Sequence, residues 1–373
     1  MLPVENANSE EGQITSPMTD DTPMHPSNTN ALRLRRLWRH ASVVLALVLI
    51  VIILRSISFR EIVEALQSMQ AGYLLLAYGL NVGVVALMAY RWWLLYTIVD
   101  AHPTYLYLLK VSFVGVFFNN VLPSTIGGDV YRTLHMAQPK DRRAQLSRSF
   151  ATVFLDRLIG LLGLLLIGVL AFFMQDTVAL PGGARLWIPV VLGLFVLAAY
   201  LSMRRGVYDL VARLFFWLPP RFRSRIVSAI YRIRDHITLY ADHRGLLLRA
   251  LGVSIAQRAI WLWGCYLVGL SLDLRVSPLA FFAALPIIEV IRLMPLTVQG
   301  IGVREGLFVL FFGAVGVTSS KATLLAALIY TLLSLNGLVG GAIYLRDMRR
   351  TTEGQRARAE RLSLLPGKRP RYR

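Results

Sequence analysis

The chain has 373 residues, 55% of them hydrophobic and 16% charged, with a mean hydropathy of +0.55 and 40 Lys plus Arg against 21 Asp plus Glu. Its apolar residues form long blocks rather than helical stripes, which excludes an ordinary soluble domain and indicates an all-α polytopic membrane protein. The arginines flank those blocks, so the positive surplus points to positive-inside orientation and anionic lipid rather than to nucleic acid.

Residues 1–32 are rich in Asn, Ser, Thr, Pro and acidic groups and read as a disordered tail. Arg33, Arg35, Arg36 and Arg39 then anchor a first span, about Leu37 to Leu54, with the N-terminus in the cytoplasm. Phe59-Arg-Glu-Ile-Val-Glu-Ala-Leu follows as a short amphipathic helix on the outer face. A second span, about Gly72 to Tyr96, ends in Arg91, Trp92, Trp93 and Tyr96, read as a belt facing the cytoplasm.

From about Thr104 to Met136 the apolar run reaches Asn119 and Asn120 and breaks at Pro123. It pauses at Gly127 and Gly128 and restarts with Asp129 and Arg132. Irregular backbone at membrane depth must be buried in protein or line a wet cavity, and ionisable groups there are read as functional. Lys140, Arg142, Arg143 and Arg148 place the far flank in the cytoplasm, so the stretch reads as a re-entrant hairpin. A third span, about Ser149 to Met174, carries Asp156 and Arg157. Pro181-Gly-Gly183 turns into a fourth, about Leu186 to Met203.

Residues 204–249 are strongly basic. Phe222, Ile226, Ile230, Ile233, Ile237 and Tyr240 recur at helical spacing, which predicts an amphipathic helix on the anionic cytoplasmic leaflet. A fifth span, about Leu247 to Leu270, leads to a second interrupted stretch containing Glu289, Arg292, Pro295, Gly300, Gly302, Arg304 and Glu305. A sixth, about Ala322 to Leu345, returns to the cytoplasm. The basic tail 349–373 is expected to be disordered. The expected architecture is therefore about six full spans and two re-entrant hairpins, an inner-membrane domain at 33–348 with both termini cytoplasmic.

The two broken stretches overlay. In each an apolar helix ends at Pro, glycines turn, and a new helix opens with charges of both signs, one stretch between cytoplasmic flanks and the other between outer flanks. Paired interrupted segments of opposite orientation are the pointer to an inverted-repeat transporter site. A helix starting near the midplane presents free N–H groups and a positive dipole end, which suits phosphate. Arg132, Arg292 and Arg304 would add bidentate contacts. Asp129, Asp156, Glu289 and Glu305 would balance them, with Asp129 also a candidate N-cap. A structural reading of the same charges is that they fasten broken helices together.

No cofactor is expected: the sequence contains no zinc, P-loop or nucleophile-elbow signature. The single cysteine, Cys265, excludes an intrachain disulfide.

Three motifs resemble the lysylphosphatidylglycerol synthase transmembrane-region family of flippase-like proteins. They are Asn119-Asn120-x-Leu122-Pro123-x-x-x-Gly127-Gly128-Asp129-x-x-Arg132, Asp156-Arg157 within Phe154–Gly160, and Pro295-x-x-x-x-Gly300-x-Gly302-x-Arg304-Glu305-Gly306. The resemblance spans roughly residues 35–348 and implies handling of an anionic or polyprenyl-phosphate lipid or a lipid-linked head group. Only a basic tail follows Leu345, so the aminoacyl-transferase activity of the full-length synthases is not expected. Two alternatives stand beside transport: an intramembrane lipid or glycan transferase with Asp129 or Glu289 as base, and a noncatalytic partner of a lipid or glycan enzyme.

Overall fold

The computed structural model describes residues 59–98, 103–121, 126–136, 142–174, 193, 197, 220–292 and 301–363. The predicted first and fourth spans, Pro123, Pro295 and Gly300 lie outside the described residues. Ten helices are described: α1 Phe59–Gln67, α2 Ala71–Tyr96, α3 Tyr105–Val121, α4 Gly127–His135, α5 Arg142–Phe173, α6 Pro220–Ala241, α7 Arg244–Ser271, α8 Pro278–Arg292, α9 Val303–Gly313 and α10 Ser319–Ser363. Among the described residues there is no strand.

Among the described residues four stretches are long and apolar enough to cross a bilayer: Ala71–Tyr96, Gln145–Phe173, Arg244–Ser271 and Ser319–Arg349. Leu75, Leu106, Leu310 and Leu338 lie exposed on the helices. Outward leucines suit lipid contact and explain why the sequence shows apolar blocks instead of stripes.

The helix ends sort into two sides. On one, the Gln70 N–H donates to the Ser271 carbonyl at 3.1 Å and the Thr318 hydroxyl to Glu61 at 3.2 Å. On the other, Lys110 pairs with Asp347 and the Tyr240 hydroxyl donates to the Leu95 carbonyl at 2.9 Å. The hairpin α3–α4 begins and ends on this second side, where Tyr107 near the start of α3 stacks on His135 at the end of α4, 5.9 Å between centroids. The hairpin α8–α9 begins and ends on the first, where Phe281 packs on Phe312 at 4.8 Å. Both interrupted stretches thus fold back as hairpins that open to opposite sides.

The order span, hairpin, span therefore occurs twice, as α2–α5 and α7–α10, with opposite directions. The halves interlock: α7 lies along α2, α3 packs on α10 of the other half, and α8 packs on α5. Backbone proximity makes this possible. A Cβ at Gly340 of α10 would sit 2.0 Å from the Phe113 carbonyl oxygen of α3, and one at Gly128 of α4 would sit 2.2 Å from that of Gly115. In lipid, where apolar burial gives little drive, such small-residue contacts hold helices together.

Two expectations differ from the structure. The apolar stripe of α6 is not wholly turned to lipid, because Ile237 and Tyr240 are buried in protein, with Tyr240 and Thr152 joined through their hydroxyls. And α10 continues to Ser363, although residues from 349 onward were expected to be disordered. That extension is rich in Ala, Arg and Glu, which favour helix without any apolar face.

Gly340→Ala should lower the thermal midpoint of the detergent-purified protein, by an overpacking cost of about 1–3 kcal/mol. Gly252→Ala, which meets nothing within 4 Å, should leave it unchanged. On α6, burial and the nearby Arg148 hold His236 below the usual imidazole range. Its depressed folded value means stability is complete above pH about 6.5 and declines as pH falls through that value. Thermal midpoints measured from pH 8 to pH 5 should show that decline, weakened in His236→Asn.

Candidate functional site

The first hairpin restarts where Asn119, at the end of α3, accepts a 2.7 Å hydrogen bond from the Gly128 N–H. Ile126 is the N-cap residue, so Asp129 is not the cap. Its carboxylate instead pairs with Arg157 of α5 and lies 3.7 Å from Arg132. Asn120 faces away from this centre and donates to the Ser334 carbonyl of α10 at 3.1 Å. Gly127 and Gly128 are both buried, and Gly128 has no room for a side chain against Gly115.

Asp156, 1% exposed on α5, holds the centre. It accepts from Arg91 Nε at 2.7 Å through Oδ1 and from Arg132 Nη2 at 3.0 Å through Oδ2. Arg132 also lies 4.0 Å over the buried Trp92 ring, a cation–π contact. Arg91 Nη1 donates to Ser254 Oγ at 2.9 Å and to Gln257 Oε1 at 3.0 Å, both on α7. Gln257 in turn donates to the Val84 carbonyl of α2. Arg132 Nε and Trp92 Nε1 are buried and find no acceptor among the described residues.

The second hairpin builds its own centre. At the end of α8, Glu289 accepts from Arg292 at 2.7 Å and from the Tyr330 hydroxyl of α10 at 2.7 Å. The chain re-enters helix at Gly302, whose φ of 85° only glycine adopts without strain. Its N–H donates to Glu305 Oε2 at 2.7 Å, one half of a capping box. Arg304 Nε donates to Glu305 Oε1 at 2.6 Å, and its guanidinium lies 4.1 Å from the Tyr330 ring centroid. Arg292 is 5.3 Å from the same ring.

The two centres are distinct but adjacent. α7 links them: Ser254 and Gln257 belong to the first, and Arg258, next in sequence, feels the charges of Arg91 and Asp156 on one side and Glu289 and Arg292 on the other. A small, half-open pocket between α2, α7 and α10 is lined by Asn81, Trp261, Cys265 and apolar side chains. It has room for about one water molecule and no charged lining, so it is not a head-group site. Among the described residues no His, Cys, Asp and Glu gather to hold a metal.

Sequence reasoning placed Arg91 and Trp92 in a belt facing the cytoplasm, whereas both are buried in protein. It also passed over Ser254, Gln257, Arg258 and Tyr330. Gln257-Arg258 at the middle of a 28-residue helix is a signal that could have found them, since mid-span polar groups are costly to retain. Tyr330 gives no such signal.

Asp156→Ala leaves Arg91 and Arg132 buried without a counter-charge, and breaking such a pair costs about 3–5 kcal/mol. Unfolding midpoints in detergent should fall more for Asp156→Ala than for Glu305→Ala, whose ion pair is closer to the surface.

The sequence model described as "Lysylphosphatidylglycerol synthase TM region" matches residues 40–340. A UPF0104 membrane protein of Methanothermobacter thermautotrophicus is 25% identical over 286 residues, 72% of this chain and 84% of that protein. Another from the same organism is 24% identical over 320 residues, 78% and 88% of the two chains. A UPF0104 membrane protein of Methanocaldococcus jannaschii is 22% identical over 325 residues, 82% and 94%. With four helices able to span a bilayer and a match over most of its length, the chain is an integral membrane protein of the lysylphosphatidylglycerol synthase transmembrane-region family.

Proposed function

We propose that the protein translocates a phosphate-bearing lipid or lipid-linked head group across the inner membrane, with both termini in the cytoplasm. The observation that carries this reading is the pair of interrupted hairpins. They open to opposite sides, and each builds its own centre of arginines and carboxylates, the start of α4 with α5 and the start of α9 with Tyr330 of α10. Interrupted helices meeting within the bilayer are how inverted-repeat transporters build a site. The family's name ties it to an enzyme of phospholipid modification, which agrees with a lipid substrate.

Charge supports an anionic ligand. Arg91, Arg132, Arg157, Arg258, Arg292 and Arg304 face Asp129, Asp156, Glu289 and Glu305, six cations to four anions among the described residues. The helix starts are capped from within the chain, by Asn119 and by Glu305. A phosphate reaching either helix end would exchange with that cap, a modest cost for a charge-assisted bond.

The test is reconstitution in liposomes carrying a panel of labelled lipids, anionic phospholipids and polyprenyl phosphates included. Protein should accelerate the crossing of at least one, and Arg304→Ala, which unpairs only the capping Glu305, should slow it about tenfold or more. Arg132→Ala should slow it as well, with a loss of stability that Arg304→Ala does not share. Equal crossing with and without protein across the whole panel rejects the reading.

A further inference from the structure

Five of the six arginines at the two centres are committed to carboxylates. Arg91 and Arg132 share Asp156, Arg157 holds Asp129, Arg292 holds Glu289, and Arg304 holds Glu305. Arg258 is different. It lies halfway along α7, and no carboxylate oxygen among the described residues comes within ion-pair distance of it. Its one hydrogen bond runs from Nε to the Gly160 carbonyl at 3.2 Å. Among the described residues its terminal nitrogens have no acceptor, and the side chain is only partly enclosed.

The nearest negative groups are already spoken for. Asp156 receives Arg91 and Arg132, and Glu289 receives Arg292 and the Tyr330 hydroxyl. Arg91 crowds Arg258 from the other direction. A Cβ on Gly160 would lie 3.0 Å from Arg91 Nη2, so both guanidinium groups converge on that one glycine. An unpaired cation in mid-span beside a second cation is expensive, and a bound anion relieves it.

We propose that Arg258 is the anion-binding residue of the site, its free guanidinium edge taking two oxygens of a phosphate between the two ion-paired centres. The source of the phosphate, a lipid head group, rests on the transport reading above. The planar fork of a guanidinium matches phosphate oxygens, which a lysine ammonium does not reproduce. Because the other five arginines are held in ion pairs, they set the field around the ligand, and Arg258 makes the contact.

The test is calorimetric binding to the detergent-purified full chain of two probes, inorganic phosphate and short-chain phosphatidylglycerol. The variants are Arg258→Gln, Arg258→Lys and Arg249→Gln, an exposed arginine on the same helix. Arg258→Gln should weaken binding at least tenfold, Arg258→Lys should fall between, and Arg249→Gln should match the wild type. The ligand-free thermal midpoint of Arg258→Gln should equal or exceed that of the wild type, since removing this charge breaks no ion pair. Arg91→Gln should lower it.

Binding of the lipid but not of phosphate assigns the anion to a head group, and binding of both assigns it to the phosphate they share. Either supports the proposal provided Arg258→Gln weakens it. Unchanged binding by Arg258→Gln, a midpoint that drops as in Arg91→Gln, or a wild type that binds neither probe overturns it. A wild type that binds through Arg258 but moves no lipid in liposomes sinks the transport reading and leaves Arg258 standing.

Discussion

A single carboxylate, Asp156, decides how the first half of this protein is built. It is almost fully buried on a helix that crosses the membrane, and it draws two arginines from two other helices onto its two oxygens. Neither arginine could be kept inside a bilayer without it. Around that bond the other contacts fall into place: Arg132 is laid flat on Trp92, Arg91 is aimed at Ser254 and Gln257, and Gly160 is small because Arg91 passes over it. A network of this kind stabilises less through the net energy of each pair than by fixing one arrangement of α2, α4, α5 and α7.

The second half solves the same problem with different chemistry. Where the first hairpin leans on a carboxylate from a neighbouring span, the second leans on Tyr330, which gives Glu289 a hydrogen bond and offers its ring to Arg292 and Arg304. Its helix start is capped from within by Glu305, whereas the first is capped from α3 by Asn119. The architecture is two-fold and the side chains are not.

The hairpins were legible because Pro, Gly pairs and mixed charges cannot occur together in an apolar chain without a structural reason, and flanking arginines fixed their sides. The membrane class was legible from block hydropathy. What stayed hidden were long-range partners. Arg91 looked like an interfacial anchor because a sequence position next to two tryptophans and a tyrosine fits that description equally well. Its burial depends on Asp156, 65 residues away. Asn119 and Asn120 looked like a pair with one role, yet one caps α4 and the other ties α3 to α10. Adjacent residues on a helix point about 100° apart, so neighbours in sequence need not share a function. The helical run past residue 349 was missed because low hydrophobicity was taken for disorder, although the extension keeps good helix formers.

The interlocking of the halves also bears on how the protein is made. α3 leaves the ribosome complete at Val121, yet the surface it packs on belongs to α10, which begins roughly two hundred residues later. At ordinary synthesis rates that is an interval of about 10–40 s. Throughout it the first hairpin, with its Asn-Asn end and its charged restart, has only part of its final surroundings. Until α10 is made, the face that α3 turns to it has no partner. The close approach of Gly340 to Phe113 therefore forms late, after every element from α3 to α9 has been made.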